Sequence, residues 1–359
     1  MSARRLIATF EAWRETGRPI ALATVYETLG STYSKAGHRI LIAANGDYQG
    51  LVSGGCLEGD IAEHARRVIE SGRPEAVTYD LRDDADDLWG LGVGCNGLIR
   101  VFLQPLYAES SYEPFASIAA VLLSTTGGAT AIVVEGGRSG MATGATLVMP
   151  SRGGPPIAAG DGAEQALLAR LGPGCARVIE SGRAEWSVED SGLAVLYAPV
   201  KPVPRLLVLG AGLDAVPVVS MAAELGWLVT VADHRPAYLE RGGFAPAERV
   251  VSVAPGRLRE RLPLEEFDAV LVMSHHLATD QAYLNELAGV ECRYLGVLGP
   301  RARKERLLDA LGASAGALRG RLRGPVGLDI GADSPEAIAL SILAELQAEL
   351  VGARGRVSF

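Results

Sequence analysis

At 359 residues the chain is long for a single core, and two domains are expected. Its formal charge of -8 argues against a general nucleic-acid surface, which needs a basic face, and 48% hydrophobic with 21% charged residues is an ordinary globular balance. Four cysteines, at 56, 95, 175 and 292, are too few and scattered for a disulfide scaffold and lack zinc spacing, so reduced thiols are expected. No apolar run reaches transmembrane length, and the charged N-terminal stretch lacks the apolar core and cleavage site of a signal peptide. A cytoplasmic location is the expectation.

Residues 6–16 read as a helix and 20–28 as a strand, with Gly30 just beyond its end. S-T-Y-S-K-A-G-H at 31–38 is small, polar and basic, ahead of an apolar strand at 39–43. Asn45-Gly46 signals a turn, and a third strand at 48–52 runs into S-G-G-C-L-E-G-D at 53–60. An amphipathic helix over 61–71 follows, with Ile61, Ala65, Val68 and Ile69 on one side. Cys56 thus lies at a strand-to-helix junction. Exposed backbone N–H groups there favour a thiolate, while Glu58 and Asp60 oppose it. The plainer alternative is a small buried hydrophobe with an inert thiol.

Residues 76–80 read as a strand and 81–90 as an acidic connection. G-L-G-V-G-C-N-G at 90–97, with Gly94, Cys95 and Asn96, suits a loop wrapped round a ligand or a sharp bend in a small barrel or sandwich. The acids of 83–87 suit a solvated loop or a docking face, with Trp89 as an interface anchor or a core lid. A strand at 99–103 follows. Beyond 115 the runs 118–124, 130–135 and 145–149 are strand-like. A short helix at 165–171 and strands at 177–181, 184–188 and 193–199 complete the antiparallel sheet of an N-terminal domain, residues 1–200. No internal repeat stands out, and K-P-V-P at 201–204 reads as a stiff linker.

V-P-R-L-L-V-L-G-A-G-L-D at 203–214 then begins a Rossmann-like βαβ unit. It has a strand at 205–209, Gly210 and Gly212 for a tight turn, a helix at 218–225, and a strand at 227–232 ending at Asp233. That acid stands at the spacing of a ribose-binding carboxylate. The third glycine position holds Ala215, and Asp214 would oppose a pyrophosphate, so a dinucleotide site and a purely structural βαβ unit both remain open. Strands at 249–253, 267–273 and 294–298 alternate with helices, which predicts a parallel sheet in residues 203–359 with its ligand crevice at the strands' C-terminal ends. Asp233, His234, Arg235, Ser274, His275, His276, Gly299, Arg301 and Arg303 come from such ends, and Ser334-Pro335-Glu336 opens a last helix. The fold class expected is α/β: a mixed α+β domain with an antiparallel sheet, followed by a Rossmann-like domain with a parallel sheet.

Six motifs, in order over nearly the whole chain, resemble one family: S-G-G-C-L-E-G-D at 53–60, W-G-L-G-V-G-C-N-G at 89–97, V-A-D-H-R-P at 231–236, S-H-H-L-A-T-D at 274–280, L-G-V-L-G-P-R-A-R-K at 295–304 and G-P-V-G-L-D-I-G at 324–331. The chain resembles the xanthine dehydrogenase accessory factor family, XdhC/CoxI. The resemblance implies a chaperone of the molybdenum cofactor rather than an enzyme. Such a chaperone holds molybdopterin cofactor while a cysteine desulfurase supplies the terminal sulfido ligand, then delivers it to a molybdenum hydroxylase such as xanthine dehydrogenase. A homodimer would suit a carrier that meets large homodimeric enzymes.

By that resemblance Cys56 and Cys95 match the family's two motif cysteines, the ones tied to cofactor handling. Cys56 is then the candidate at the metal end, as a ligand, a sulfur relay or a guard against oxidation, with Cys95 second. The backbone of Gly54, Gly55, Gly94 and Asn96 is available to the pterin, and Arg301, Arg303 or Lys304 to its phosphate. If both cysteine loops converge, Lys35 and His38 lie close by. Gly210, Gly212, Asp233 and His275 are the crevice's candidate binding residues. Two other functions compete: an NAD(P)-dependent oxidoreductase using that crevice, and a thiol redox protein using Cys56 and Cys95.

Overall fold

The structure, a computed structural model, describes residues 2–82, 97–152, 154–160 and 164–352. The chain divides into two units, Met1–Pro202 and Val203–Phe359.

The first unit opens with α1 (Ala3–Glu15), capped by the Ser2 side chain and burying Leu6, Ile7 and Phe10. β1 (Ile20–Gly30), β2 (Arg39–Ala43), β3 (Tyr48–Gln49), α2 (Glu58–Ser71), β4 (Glu75–Asp80) and β5 (Gly97–Leu106) follow. Then come α3 (Phe115–Leu123), β6 (Gly128–Glu135), β7 (Thr146–Pro150), β8 (Ile157–Ala159), α4 (Glu164–Ser181), β9 (Glu185–Val188) and β10 (Ala194–Val200). The two halves have the same element order. Their sheets also have the same strand order, β3-β2-β1-β5-β4 and β8-β7-β6-β10-β9, antiparallel throughout. The unit is therefore an αβββαββ module built twice. No repeat is legible in the sequence because the topology constrains where apolar residues fall, not which ones they are.

Tyr26 and Phe102 of one sheet pack on Ile132, Val134, Leu196 and Ala198 of the other. α2 covers the outer face of the first sheet through Ile61, Ala65 and Val68. α4 covers the outer face of the second through Leu167, Leu171, Cys175 and Val178. The antiparallel sheet expected from the sequence is thus two stacked sheets.

Two local expectations fail. Residues 118–124 read as strand but belong to α3, where Phe115, Ile118, Ala119 and Leu122 recur at helical spacing on a helix buried almost all round. Periodicity alone does not separate a short buried helix from a buried strand. Residues 177–181, read as strand after a short helix at 165–171, continue α4 instead, through Gly172-Pro173-Gly174. Gly174 is there for packing: a Cβ on it would stand 2.2 Å from the Tyr197 ring.

The second unit alternates β11 (Arg205–Leu209), α5 (Ala215–Glu224), β12 (Leu228–Asp233), α6 (Pro236–Glu240), β13 (Arg249–Ser252), α7 (Leu258–Arg261) and β14 (Ala269–Val272). It continues with α8 (Leu277–Leu287), β15 (Tyr294–Val297), α9 (Arg301–Ala310), α10 (Ala315–Leu318), β16 (Leu322–Arg323) and α11 (Pro335–Val351). All pairs in its sheet are parallel, in the order β13-β12-β11-β14-β15-β16. This is the doubly wound dinucleotide-fold order, and its switch point lies between β11 and β14. Apolar clusters fill both faces, with α11 and α5 on one and α8 and α9 on the other. No helix among the described residues is long and apolar enough to cross a membrane.

Candidate functional site

Three connections meet at one end of the first sheet. Gly30, the last residue of β1, pairs with Gly97, and Asp80 pairs with Leu98, so β1 and β4 end where β5 begins. Residues 31–38 lead from this end into β2, and residues 50–57 leave β3 beside them. The Ser34 hydroxyl donates to the Leu51 carbonyl at 3.1 Å, and the Tyr33 ring lies against Gly54. The segment with Gly94, Cys95 and Asn96, and the acids and Trp89 before them, lies outside the described residues; its flanks, Arg82 and Gly97, are at this end. Cys56 and the flanks of the Cys95 segment therefore share one edge of the module.

The second copy of the module makes the contrast. β8 and α4 are joined by four residues where β3 and α2 are joined by eight, and β9 and β10 by five, a tight hairpin, where β4 and β5 are joined by sixteen. The two cysteine motifs occupy the two connections that are longer in the first copy.

The turn before α2 is organised by Glu58, whose side chain is buried at 1% exposure. Its carboxylate accepts the Val52 N–H at 2.7 Å, the Ser53 N–H at 2.9 Å, the Ser53 hydroxyl at 2.8 Å and the Gly55 N–H at 2.9 Å. Ser53 Oγ in turn accepts the Leu57 N–H at 2.8 Å. Burial alone would raise the Glu58 pKa, but these bonds outweigh it and hold the carboxyl below its ordinary value. Gly54 (φ +83°) and Gly55 (φ +119°) take backbone conformations that side chains resist, and both are exposed with Cys56. The result is a fixed backbone that presents one thiol to solvent. The other two described cysteines differ: burial pushes the Cys175 thiol up to about 12, and also raises the half-buried Cys292. Lys35 is exposed nearby, its Nζ 3.4 Å from Thr32 Oγ1.

At the switch point of the second unit, a Cβ on Gly210 would meet the Met273 carbonyl at 2.4 Å, which is why the β11 turn needs glycine. Asp214 lies over this turn, with Oδ1 2.4 Å from where a Gly212 Cβ would be and Oδ2 2.8 Å from His275 Nε2. His275 is exposed and left-handed at φ +63°, unusual for a residue with a Cβ. Asp233 is fully buried and taken up by its own chain. It accepts the Ala211 N–H at 2.7 Å and a two-pronged contact from Arg235 at 2.9 and 2.7 Å. Arg303 is likewise committed, donating at 2.6 Å to Asp280, which also receives the Ser274 hydroxyl. His276 bonds Thr279, while Arg301 stands exposed at the first position of α9. No cluster of three or more potential metal ligands occurs among the described residues.

Sequence reasoning singled out Cys56 and its glycines but missed Glu58 as their organiser. The available signal was a carboxylate at the start of a helix and three residues after Gly55, the spacing at which a side chain reaches back to a backbone N–H. It also missed Asp280 and the pairing of Asp214 with His275.

Residues 13–80 match the XdhC and CoxI family and residues 206–346 match the XdhC Rossmann domain. A probable xanthine dehydrogenase subunit from Bacillus subtilis (strain 168) is 30% identical over 94% of both chains. The chain belongs to the XdhC and CoxI family. A crystal structure of a xanthine dehydrogenase from Bacillus halodurans covers 100% of this member and 98% of that chain, with a TM-score of 0.78 and 28% identity. An uncharacterised Escherichia coli (strain K12) protein, YqeB, is 32% identical over 40% of this chain and 27% of its own. The glycine turn with Cys56 falls inside the matched N-terminal segment, and the Asp214–His275 pair inside the matched Rossmann segment.

Proposed function

We propose that this family member carries the molybdenum cofactor. In this reading it holds the molybdopterin form while a cysteine desulfurase supplies the terminal sulfido ligand, and delivers it to a xanthine dehydrogenase-like molybdenum hydroxylase. The observation that carries the reading is the exposed Cys56 on a turn immobilised by Glu58. A thiolate suits the soft dithiolene–molybdenum end of the cargo, which favours sulfur donors. Exposed backbone at Gly54 and Gly55 lets a planar pterin edge approach, and the Lys35 ammonium is available to an anionic group. Gly94, Cys95 and Asn96 supply the second loop, on the other connection enlarged in the first copy of the module. In the Rossmann unit, Arg303 is committed to Asp280, while Arg301 is exposed. The name of the Bacillus subtilis relative supports a xanthine dehydrogenase as the recipient. The setting is the reducing cytoplasm, with two copies of the chain per carrier.

An NAD(P)-dependent oxidoreductase fits less well. A carboxylate on the glycine turn opposes a pyrophosphate, and Asp233 has no free oxygen facing a ribose.

The deciding experiment is anaerobic binding of molybdenum cofactor to purified protein, Cys56→Ala and Cys95→Ala, with NAD and NADP titrated in parallel. Tight binding lost in the cysteine variants is expected. Firm nicotinamide binding without cofactor binding would overturn the carrier reading.

A further inference from the structure

Between α1, the start of β2 and α3 lies a cavity of about 150 Å³ that none of the cysteine chemistry uses. Ser2 and Ala3 at the N-terminus of α1 form one wall, His38 and Arg39 another, and Leu6 and Leu122 the apolar back. Three features of this wall point the same way.

The first is Arg39. Its guanidinium reaches across the sheet interface to Thr130 Oγ1 at 2.6 Å, and its Nε is shielded from water without a partner. No acidic side chain among the described residues pairs with it, and burial is what lowers its pKa, to about 10. It is still charged at neutral pH. A largely shielded guanidinium carries a desolvation penalty, and the Thr130 hydroxyl satisfies one of its N–H groups without supplying a counter-charge. The second is His38, whose shielded Nε2 also has no partner. The third is α1, a helix of 13 residues whose first turn, capped by the Ser2 hydroxyl, carries no acidic side chain of its own at the positive end of the dipole.

We propose that this cavity binds a dianionic oxyanion of the phosphate-monoester class, with Arg39 as its main counter-charge. A tetrahedral dianion offers three acceptors to the guanidinium, the imidazole and the helix N–H groups together, which a carboxylate cannot do. Burial, with the Arg39 charge beside it, lowers the His38 pKa, and a bound dianion would oppose that shift. Gly50 lines the same cavity and is the first residue of the connection that carries Cys56, while none of residues 53–57 lines it. The site stands on these side chains alone and is independent of the cofactor reading.

The test uses the full chain in phosphate-free buffer, with inorganic phosphate and phenyl phosphate as probes and chloride at matched ionic strength as the control. Calorimetry and thermal unfolding are read for wild type, Arg39→Lys and Arg39→Met. Wild type is expected to bind saturably and to melt higher with phosphate than with chloride. Arg39→Lys keeps the response, and Arg39→Met weakens it at least tenfold while melting no lower than wild type in phosphate-free buffer. Tighter binding of phenyl phosphate assigns the site to a phosphate carried on a larger ligand; equal binding assigns it to the free ion. Should Arg39→Met not fold, the His38 ring resonance of wild type, assigned with His38→Gln, must move on phosphate addition. A wild-type response no larger than that to chloride, an equal response in Arg39→Met, or a static His38 signal overturns the proposal.

Discussion

The Glu58 carboxylate accepts the Gly55 N–H at 2.9 Å, and so fixes the backbone one residue before the exposed Cys56. With the contacts from Val52 and Ser53, one buried side chain does what a longer loop would need several residues to do. Glu58→Ala leaves three N–H groups and a hydroxyl without their acceptor and is expected to cost about 3 kcal/mol. Glu58→Gln keeps the shape but not the charge and costs about half as much. Urea unfolding gives both values. If Glu58→Ala unfolds at the wild-type midpoint, the turn does not depend on it.

The same carboxylate sets an acid limit. Its folded pKa lies below the unfolded value of about 4.3, so its stabilisation is complete above that pH and is lost as pH falls through the folded value. Asp233 has the same sign in the other unit. Burial would raise its pKa, but Arg235 and the Ala211 N–H hold it below the unfolded value of about 3.9. Urea midpoints are therefore expected to be flat near neutrality and to fall below about pH 4. In Glu58→Gln, the part of that fall reported by the first unit should shrink.

Thiol chemistry should divide the cysteines. Cys56 is exposed, whereas Cys175 is fully buried with its pKa near 12 and Cys292 is half-buried and raised. Brief alkylation of the native protein, read by peptide mass spectrometry, is expected to label Cys56 while sparing Cys175 and Cys292. Denaturant should bring the latter two to the same rate. Early labelling of Cys175 would mean that α4 does not pack on its sheet as described.

The parallel sheet was readable because short apolar runs alternate with helical stretches, and local patterning suffices for that. The first unit was harder for two reasons. α3 is buried almost all round, so its pattern has no polar phase to mark the period, and α4 carries a Gly-Pro-Gly that reads as a break. The doubling of the module is a property of pairing between distant strands, such as β1 with β5 and β6 with β10. No local window contains it. In the site, Cys56 was legible from its glycines, but Glu58 reads as an ordinary first-turn acid until its partners are known. The commitment of Asp233 to Arg235 illustrates the same limit. Spacing placed the acid correctly at the end of β12 and could not tell which donor it faces.

Asp214 makes a prediction about nicotinamide ligands. Its carboxylate lies on the glycine turn and bonds the exposed His275, so a pyrophosphate would meet a negative charge where a dinucleotide fold normally offers bare N–H groups. NADH and NADPH titrated against the protein are expected to give no saturable fluorescence change below about 1 mM. Saturation in the micromolar range would show that His275 neutralises the site and would return the oxidoreductase reading to favour.

The contact of Arg303 with Asp280 joins α9 to α8, and the acid in it is buried. Removing the arginine alone strands a carboxylate that also receives the Ser274 hydroxyl. Arg303→Met is therefore expected to destabilise the Rossmann unit by about 3–5 kcal/mol, far more than the pair itself contributes. Asp280→Leu together with Arg303→Met removes both charges and should recover a large part of that loss. A double-mutant cycle in urea measures the coupling. Simple additivity of the two single changes would mean that Arg303 is not the counter-charge of Asp280, and would free it for the phosphate role expected from its position at the end of β15.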